Sequence, residues 1–304
     1  MAQWTYRQAW ACLVGSTLAT LLLSLSGYTL WQRWQQHRLL DEQYKIVAIV
    51  QTGPEREALQ TAFLAELLHL SSDQMTSLYS IDVKLAERAL LDCPIISEAR
   101  IKRVPPGTLF IDYSIRKPIA RLGDYQNCAL DKEGFFFPLT PFYSPKNLPE
   151  IYLGLPSFDV NDPQHRRIGG AWQILPSDKY LLLALDILRM LRDTPWREGM
   201  RLKRIDVSNA FAPSAGQREI VLLTEDEMIF RENEVETVYF FPKILRLPSK
   251  NYAQQLSNFL TLRQTMLEDY RRQIKNSQFA VSPVQFSPRI VDLRIPRIAF
   301  VQNN

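Results

Sequence analysis

Hydrophobic residues concentrate in one uncharged run near the beginning of the chain, from Ala9 to Leu30. No Asp, Glu, Lys or Arg occurs between Arg7 and Arg33, and a helix needs about 20 apolar residues to cross the hydrocarbon core of a bilayer. The pattern predicts a transmembrane helix over residues 9–31, between a tail over residues 1–8 and a juxtamembrane linker over residues 32–44. Aromatic residues, which prefer the two headgroup zones, mark both ends of the run: Trp4, Tyr6 and Trp10 at one end, and Tyr28, Trp31 and Trp34 at the other.

A cleaved signal peptide is the alternative interpretation of this run, with Ser24 and Ser26 as the small residues before a cut at Gly27. The apolar stretch is long for a signal peptide, and a second aromatic belt would then have no purpose, so we favour a retained anchor. Charge does not decide its orientation, because positive residues flank both ends and a long domain can cross a membrane regardless of flanking charge.

After the linker, the hydrophobic pattern predicts a small α+β domain over residues 45–116 with the element order β-α-α-β-β. Strands are predicted over 46–50, 96–103 and 108–116, and Pro105-Pro106-Gly107 forms the turn between the last two. The first helix has one apolar face, formed by Leu59, Ala62, Phe63, Leu67 and Leu70. The second helix is capped by Ser80 or Asp82, carries Val83, Ala86 and Leu90, and ends before Pro94.

Residues 117–304 predict a larger mixed domain, built on an antiparallel sheet with two helices. Short strands are expected over 119–122, 128–130, 135–138, 151–153, 202–207, 219–223, 228–230 and 239–247, where Pro242 confines the last one to an edge or a bulge. The segment from Asp131 to Gly134 is a hairpin turn. The first helix spans 178–192 with Leu181, Leu185 and Leu188 on one side, and the second spans 252–272 with Tyr252, Leu256, Phe259, Leu260, Leu267 and Tyr270 facing inward. A loop over 273–289 precedes terminal strands over 290–301.

Composition and candidate chemistry argue against an enzyme. The net charge of +4 is scattered along the chain, so nucleic-acid binding has little support. The only histidines, His37, His69 and His165, have no Ser, Cys or carboxylate at the spacing of a triad or metal site, and His165 lies in an exposed, Pro-bearing stretch over 161–167. We therefore predict no catalytic residue, no metal and no cofactor. Three sparse cysteines argue against a disulfide scaffold, although Cys93 and Cys128 could pair in an oxidising compartment.

One long segment carries a family resemblance: LYSIDVKLAERALLDCPIISEARIKRVPPGTLFIDYSIRKPIARL, from Leu78 to Leu122. It resembles the POTRA domain and hinge of the FtsQ/DivIB cell-division proteins, through Pro94, the strand ending in Arg103, the Pro105-Pro106 turn and Pro118. Further along, the hairpin with Asp131 and Gly134, the stretch LPEIYLG and the segment IVDLRIP, with Asp292 and Arg294, are similar to motifs of the same family. The chain departs from the family pattern at Ile95 and Val104, where Trp is common, at Ile115-Arg116, where Glu is frequent, and in an apparent insertion over 238–250.

The resemblance implies a bitopic inner-membrane protein at the division site, with a short cytoplasmic tail and an extracytoplasmic body. It implies a scaffold without catalytic activity that links division proteins, notably FtsB- and FtsL-like partners. In the family, the strand after Asp-Leu-Arg receives a partner strand by β-augmentation. This function carries over to Ile298, Ala299, Phe300 and Val301, and the helix over 252–272 is a neighbouring contact through Tyr252, Leu256 and Phe259. The alternative is that Ile298 and Phe300 simply fill the core. Arg294 is expected to form a structural ion pair.

Two other classes of protein compete with the scaffold. A POTRA-bearing envelope assembly or secretion factor would normally have several such modules or many amphipathic barrel strands. A membrane-tethered cell-wall enzyme would need a catalytic constellation, which the sequence does not display.

Overall fold

The computed structural model describes residues 6–71, 73, 75–158, 165–168, 170–174, 176–193, 199–232, 235–276 and 284–303. The chain divides into two compact units, Met1–Ile115 and Arg116–Asn304. This break lies one residue from the domain boundary expected from the sequence. Helices and strands are numbered below in chain order.

The first unit begins with helix α1, which spans Tyr6–Leu40. Its segment Leu13–Leu40 is long and apolar enough to cross a membrane, and none of its most apolar window is buried in the protein. Hydroxyl groups inside the helix donate to carbonyls three or four residues earlier, as Thr20 does to Ser16 and Ser24 to Thr20. These bonds satisfy polar groups that lipid could not. The predicted apolar helix is confirmed, and it continues through most of the predicted linker.

The rest of the first unit has the predicted β-α-α-β-β order: β1 (Ala48–Thr52), α2 (Thr61–Leu67), α3 (Val83–Leu91), β2 (Ile96–Val104) and β3 (Thr108–Ile115). Strand β3 lies in the centre of a three-stranded sheet, parallel to β1 and antiparallel to β2. The Asp82 carboxylate caps α3 by accepting hydrogen bonds from the backbone N–H groups of Lys84 and Leu85, at 2.9 and 3.2 Å. The helices cover one face of the sheet and enclose a core whose members are Leu64, Leu78, Leu90, Ile95, Ile96, Leu109 and Ile111.

The second unit contains two long helices, α4 (Lys179–Asp193) and α5 (Tyr252–Asn276). Its strands are β4 (Ala120–Leu122), β5 (Cys128–Leu130), β6 (Phe135–Pro138), β7 (Glu150–Tyr152), β8 (His165–Ile168), β9 (Ala171–Ile174), β10 (Met200–Asp206), β11 (Ile220–Glu232), β12 (Val235–Leu247), β13 (Val284–Gln285), β14 (Arg289–Asp292) and β15 (Phe300–Asn303). All twelve belong to one sheet, with the order β15-β14-β12-β11-β10-β7-β4-β5-β6-β9-β8, and β13 pairs with β12.

The large sheet is mixed, which corrects the prediction of an antiparallel one. Strand β7 runs parallel to both β4 and β10, and β13 and β14 run parallel to β12. The apolar sides of both helices pack into one core with the sheet, through Leu181, Ala184, Ile187, Leu188 and Leu191 from α4 and Leu256, Phe259 and Met266 from α5.

Two predictions of local structure are wrong in the second unit. The predicted strands over 219–223 and 228–230 are one continuous strand, β11. Strand β12 is an interior strand rather than an edge, and the apparent insertion over 238–250 supplies most of it. Pro242 fits there because the pairing of β12 with β13 ends at Phe240 and its pairing with β14 starts at Lys243. The missing N–H of Pro242 thus falls where β12 changes neighbour.

Two segments predicted as loops contain strands. Part of the stretch expected to be exposed over 161–167 belongs to β8, and its first four residues lie outside the described part of the chain. In the predicted loop over 273–289, α5 continues to Asn276 and β13 occupies two residues, while residues 277–283 are outside the described part.

Candidate partner-binding edge

Strand β15 is the end member of the large sheet. It pairs antiparallel with β14, so that Phe300 lies opposite Asp292 and Val301 opposite Val291. Within the described part of the chain no strand pairs with its other side. The outer backbone groups of β15 are therefore available to a further strand.

Both faces of β15 carry exposed apolar side chains. Phe300 is 57% exposed and Val301 is 43% exposed, and successive side chains of a strand point to opposite faces. The next residue, Gln302, is also exposed and uncharged. The strand therefore lacks the charged residues and prolines with which proteins usually protect an open edge.

The structure places Ile298 and Ala299 before β15 rather than in it, which corrects the predicted strand boundary. They belong to the connection from β14, where Arg297 has a φ of 68° and the Ile298 N–H donates to the Ile295 carbonyl at 3.3 Å. Ile298 is 49% exposed. The alternative in which Ile298 and Phe300 fill the core is wrong, because both side chains lie largely in solvent.

An ion-pair network fixes the β14 end of this connection. The Arg294 guanidinium binds the Asp292 carboxylate at 2.7 Å and also approaches Glu219 at 3.4 Å. Arg246 of β12 pairs with Glu219 at 2.6 Å. Burial tends to raise the pKa of Asp292, but the hydrogen bonds and charge of Arg294 outweigh this effect and hold that pKa below its usual value. Arg294 thus forms the structural ion pair expected from the sequence.

A depression of about 490 Å³ adjoins β15 on the face that carries Phe300. Its wall combines the apolar side chains of Phe300 and Ile295 with the cationic groups of Arg218, Lys250 and Arg294. The depression thus places apolar and cationic groups beside the start of β15.

The three predicted contacts on α5 are not equivalent. Leu256 and Phe259 are completely buried in the core, so they stabilise the unit and cannot form a surface for a partner, which corrects that prediction. Tyr252 is half-buried, and its hydroxyl donates a short hydrogen bond to Asp186 of α4. Burial, together with this bond and the Asp186 charge, raises the pKa of Tyr252 to about 12. Tyr252 therefore joins the two helices.

Two of the remaining motif residues lie in the first unit. Pro94 lies in the short connection between α3 and β2, and Arg103 in β2 donates a short hydrogen bond to the Ile81 carbonyl just before α3. Both residues thus connect α3 with its neighbouring strand.

In the second unit, Pro118 precedes β4 and Asp131 organises the hairpin between β5 and β6. The Asp131 carboxylate accepts from the N–H groups of Glu133 and Phe135, both at 2.9 Å, and pairs with Arg116 at 3.3 Å. Burial raises the pKa of Asp131 despite these partners. Gly134 has a φ of 82°, and a Cβ there would lie 2.8 Å from Leu181, so the turn requires glycine. These residues have structural roles.

Sequence reasoning missed a buried charge cluster in β11 and β12. Lys243 is fully buried and forms a short ion pair with Asp226, which also binds Arg263 of α5 at 2.8 Å. Burial lowers the pKa of Lys243, and the Asp226 charge only partly offsets this effect. The alternation of Leu222, Thr224 and Asp226 on one face of β11 is the available signal, but the predicted strands ended at 223 and resumed at 228, so that Asp226 lay outside them.

The three histidines are the groups considered above for catalysis. His37 and His69 are exposed, and the side chain of His165 lies outside the described part. Across the described ranges, no group of three or more His, Cys, Asp or Glu side chains could hold a metal ion. Cys93 and Cys128 are both free thiols, and burial raises the pKa of each.

Comparison with known proteins adds no family to this description, since the chain matches no protein-family model and no curated protein.

Proposed function

We propose that this chain is a membrane-anchored scaffold of the FtsQ/DivIB type, which links cell-division proteins and has no catalytic activity. The observation that carries the proposal is the open, uncharged and apolar edge of β15. Proteins normally protect such an edge, and one that is left exposed fits a partner strand joined by β-augmentation.

The location of this edge supports the proposal. It begins after a five-residue connection from the Asp-Leu-Arg sequence, Asp292 to Arg294, which resembles a motif of the family. The ion pairs of Asp292 and Arg294 stiffen the connection that leads into β15. The partner class we propose is therefore an FtsB-like division protein, which supplies an extended segment and acts together with an FtsL-like protein.

The first unit supports the same assignment. Its β-α-α-β-β order, with β3 between β1 and β2, is what we expect of a single POTRA domain. Helix α1 supplies one membrane anchor. We propose that the tail before α1 is cytoplasmic and that both units lie outside the cytoplasm at the division site.

Hydrogen exchange tests the binding mode on the full chain, reconstituted in detergent with its FtsB-like partner. Addition of the partner should slow exchange at those N–H groups of Phe300 to Asn303 that point away from β14, because a new strand would pair with them. Strand β8, at the opposite end of the sheet, is the matched control and should be unaffected. Protection confined to β8, or protection at neither edge despite binding, would contradict β-augmentation at β15.

A fluorescent fusion of the full chain tests the biological role. A ring or disc at the division plane is expected of the scaffold. Uniform envelope fluorescence would instead favour an envelope assembly factor or a tethered cell-wall enzyme.

A further inference from the structure

A small basic pocket lies where α1 meets the rest of the first unit. It has a volume of about 140 Å³ and is lined by Trp34, Gln35, Arg38, Leu39, Tyr79 and Arg103. Four of these residues come from α1, one from the segment before α3, and one from β2. This pocket is remote in sequence from the edge strand of the second unit, and the proposed scaffold function does not use it.

The two arginines of the pocket are held in place but have no acidic partner. The Arg38 guanidinium lies 3.5 Å from the centre of the Trp34 ring and 5.0 Å from that of Tyr79. Arg103 is oriented by its hydrogen bond to the Ile81 carbonyl. Among the described residues, neither guanidinium has a carboxylate within ion-pair distance. Two oriented cations facing one cavity suit an anion.

The pocket also lies at the depth of the lipid headgroups if α1 crosses the bilayer. The uncharged segment over 8–32 is about 37 Å long as a helix, whereas the hydrocarbon core is about 30 Å thick and the whole bilayer about 40–45 Å. A bilayer centred on this segment therefore places residue 34 in the headgroup zone. Side chains on a helix point back toward its N-terminus, and the stacking of Arg38 on Trp34 brings its guanidinium to that level.

We propose that Arg38 and Arg103 bind the phosphate of an anionic phospholipid headgroup, with Gln35 as a further donor and Trp34 at the membrane interface. The planar guanidinium matches the oxygens of a phosphate. The pocket is smaller than the cavities that enclose drug-sized ligands, so it would hold the phosphate while the rest of the lipid remains in the bilayer. The proposal rests on α1 as a membrane span and not on the scaffold function.

The test compares lipids that differ in headgroup charge. The full chain is reconstituted in phosphatidylcholine bilayers, and its association with spin-labelled phosphatidylglycerol is measured against spin-labelled phosphatidylcholine. We expect a preference for phosphatidylglycerol that falls about fivefold in Arg38→Gln and in Arg103→Gln. Arg33→Gln is the matched control, because Arg33 belongs to the same helix end but lies about 140° around the helix from Arg38 and does not line the pocket.

Each other outcome overturns the proposal. Equal losses in Arg33→Gln and Arg38→Gln would indicate diffuse surface charge rather than a site, and no preference in the unaltered chain would exclude the lipid. A titration with inorganic phosphate tests the other source of the anion. Phosphate is added to the chain in phosphatidylcholine bilayers, and the fluorescence of Trp34 is measured by comparison with a Trp34→Phe variant. Saturation by millimolar phosphate that is lost in Arg38→Gln would assign the pocket to a soluble anion instead.

Discussion

The edge strands of the two sheets differ in the charge of the side chains that they expose. Strand β2, at one edge of the small sheet, exposes Glu98, Arg100, Lys102 and Arg103. Strand β15, at one edge of the large sheet, exposes Phe300, Val301 and Gln302 and has no charged residue. Charges along β2 oppose the approach of a foreign strand, whereas nothing in β15 does.

The supports of the two strands differ as well. Strand β2 is attached to a helix, since the Glu87 carboxylate of α3 accepts a hydrogen bond from the Ile101 N–H at 2.9 Å. Of the strands that the structure describes, β15 pairs only with β14, which in turn pairs with β12. A protected edge can thus be recognised by its charges, and the edge that we propose for a partner differs from it in having no charges and a fixed ladder behind it.

The largest effect on stability is expected at the buried ion pair of Asp226 and Lys243, in the strands that support β14 and β15. Asp226→Ala would leave Lys243 buried without its counter-charge, and this should lower the free energy of unfolding by about 3–5 kcal/mol. Urea denaturation of the detergent-solubilised chain measures the change. The exposed pair of Arg231 and Glu236 in the same hairpin is the control, and Glu236→Ala should cost at most about 1 kcal/mol. Similar losses in both variants would mean that burial of the Asp226 pair is unimportant.

Introducing a positive charge into β15 should remove the uncharged edge that distinguishes β15 from β2. Phe300→Lys removes an aromatic anchor and sets a cation on the edge, so affinity for the FtsB-like partner should fall by about 2–4 kcal/mol, roughly 30-fold to 1,000-fold. Isothermal titration calorimetry with the purified partner measures this loss. Ile229→Lys is matched, since Ile229 is also an exposed strand residue at 57%, and it should bind normally. Equal weakening by both variants would point to non-specific charge effects.

A smaller effect is expected at the connection into β15. Asp292→Asn weakens the pair with Arg294 and should cost about 1–2 kcal/mol of stability at neutral pH. Because the folded-state pKa of Asp292 lies below its unfolded value, its contribution is present above about pH 4 and is lost as the pH falls through the folded-state pKa. Thermal unfolding of the unaltered chain and of Asp292→Asn is measured at pH 6 and in acid. The difference in stability between the two chains should become smaller toward low pH. A difference that stays constant would exclude this charge linkage.

The smallest change in folding stability is expected on β2. Replacing both Arg100 and Lys102 by Val should alter stability by no more than about 0.5 kcal/mol, but it makes β2 resemble β15. We expect the variant to self-associate through this edge, which analytical ultracentrifugation in detergent would detect. Replacing both residues by Glu keeps the edge charged and is the control. A Val variant that stays as monomeric as the control would show that charge does not protect β2.

Short sequence patterns predicted much of this architecture, because the features that they predicted are determined by a few adjacent residues. The uncharged run predicted α1, and an Asp followed by an amphipathic stretch predicted the capped start of α3 at Asp82. The turn at Gly134 follows from the positive φ that glycine permits. Each of these signals is complete within a few residues.

The predictions that were wrong concern residues whose spatial neighbours are distant in the sequence. Pro242 is acceptable inside a sheet only because β13 and β14 meet beside it. Asp226 is buried because Lys243 and Arg263 meet it there. For the candidate edge, the sequence identified Phe300 and Val301, but the turn at Arg297 shifted the strand start past Ile298 and Ala299. No short pattern could assign Leu256 and Phe259 to the core rather than to a surface.

Strand β7 has a mechanical consequence for the large sheet. It is three residues long, yet among the described strands it alone joins β4 and the strands beyond it to β10 and the strands that lead to β15. Any tension applied to β15 and carried across the sheet would pass through the few backbone bonds on either side of Ile151, such as that from the Gly123 N–H to the Ile151 carbonyl at 2.7 Å. With two register pairs to β4 and three to β10, β7 is one of the narrow points of this path.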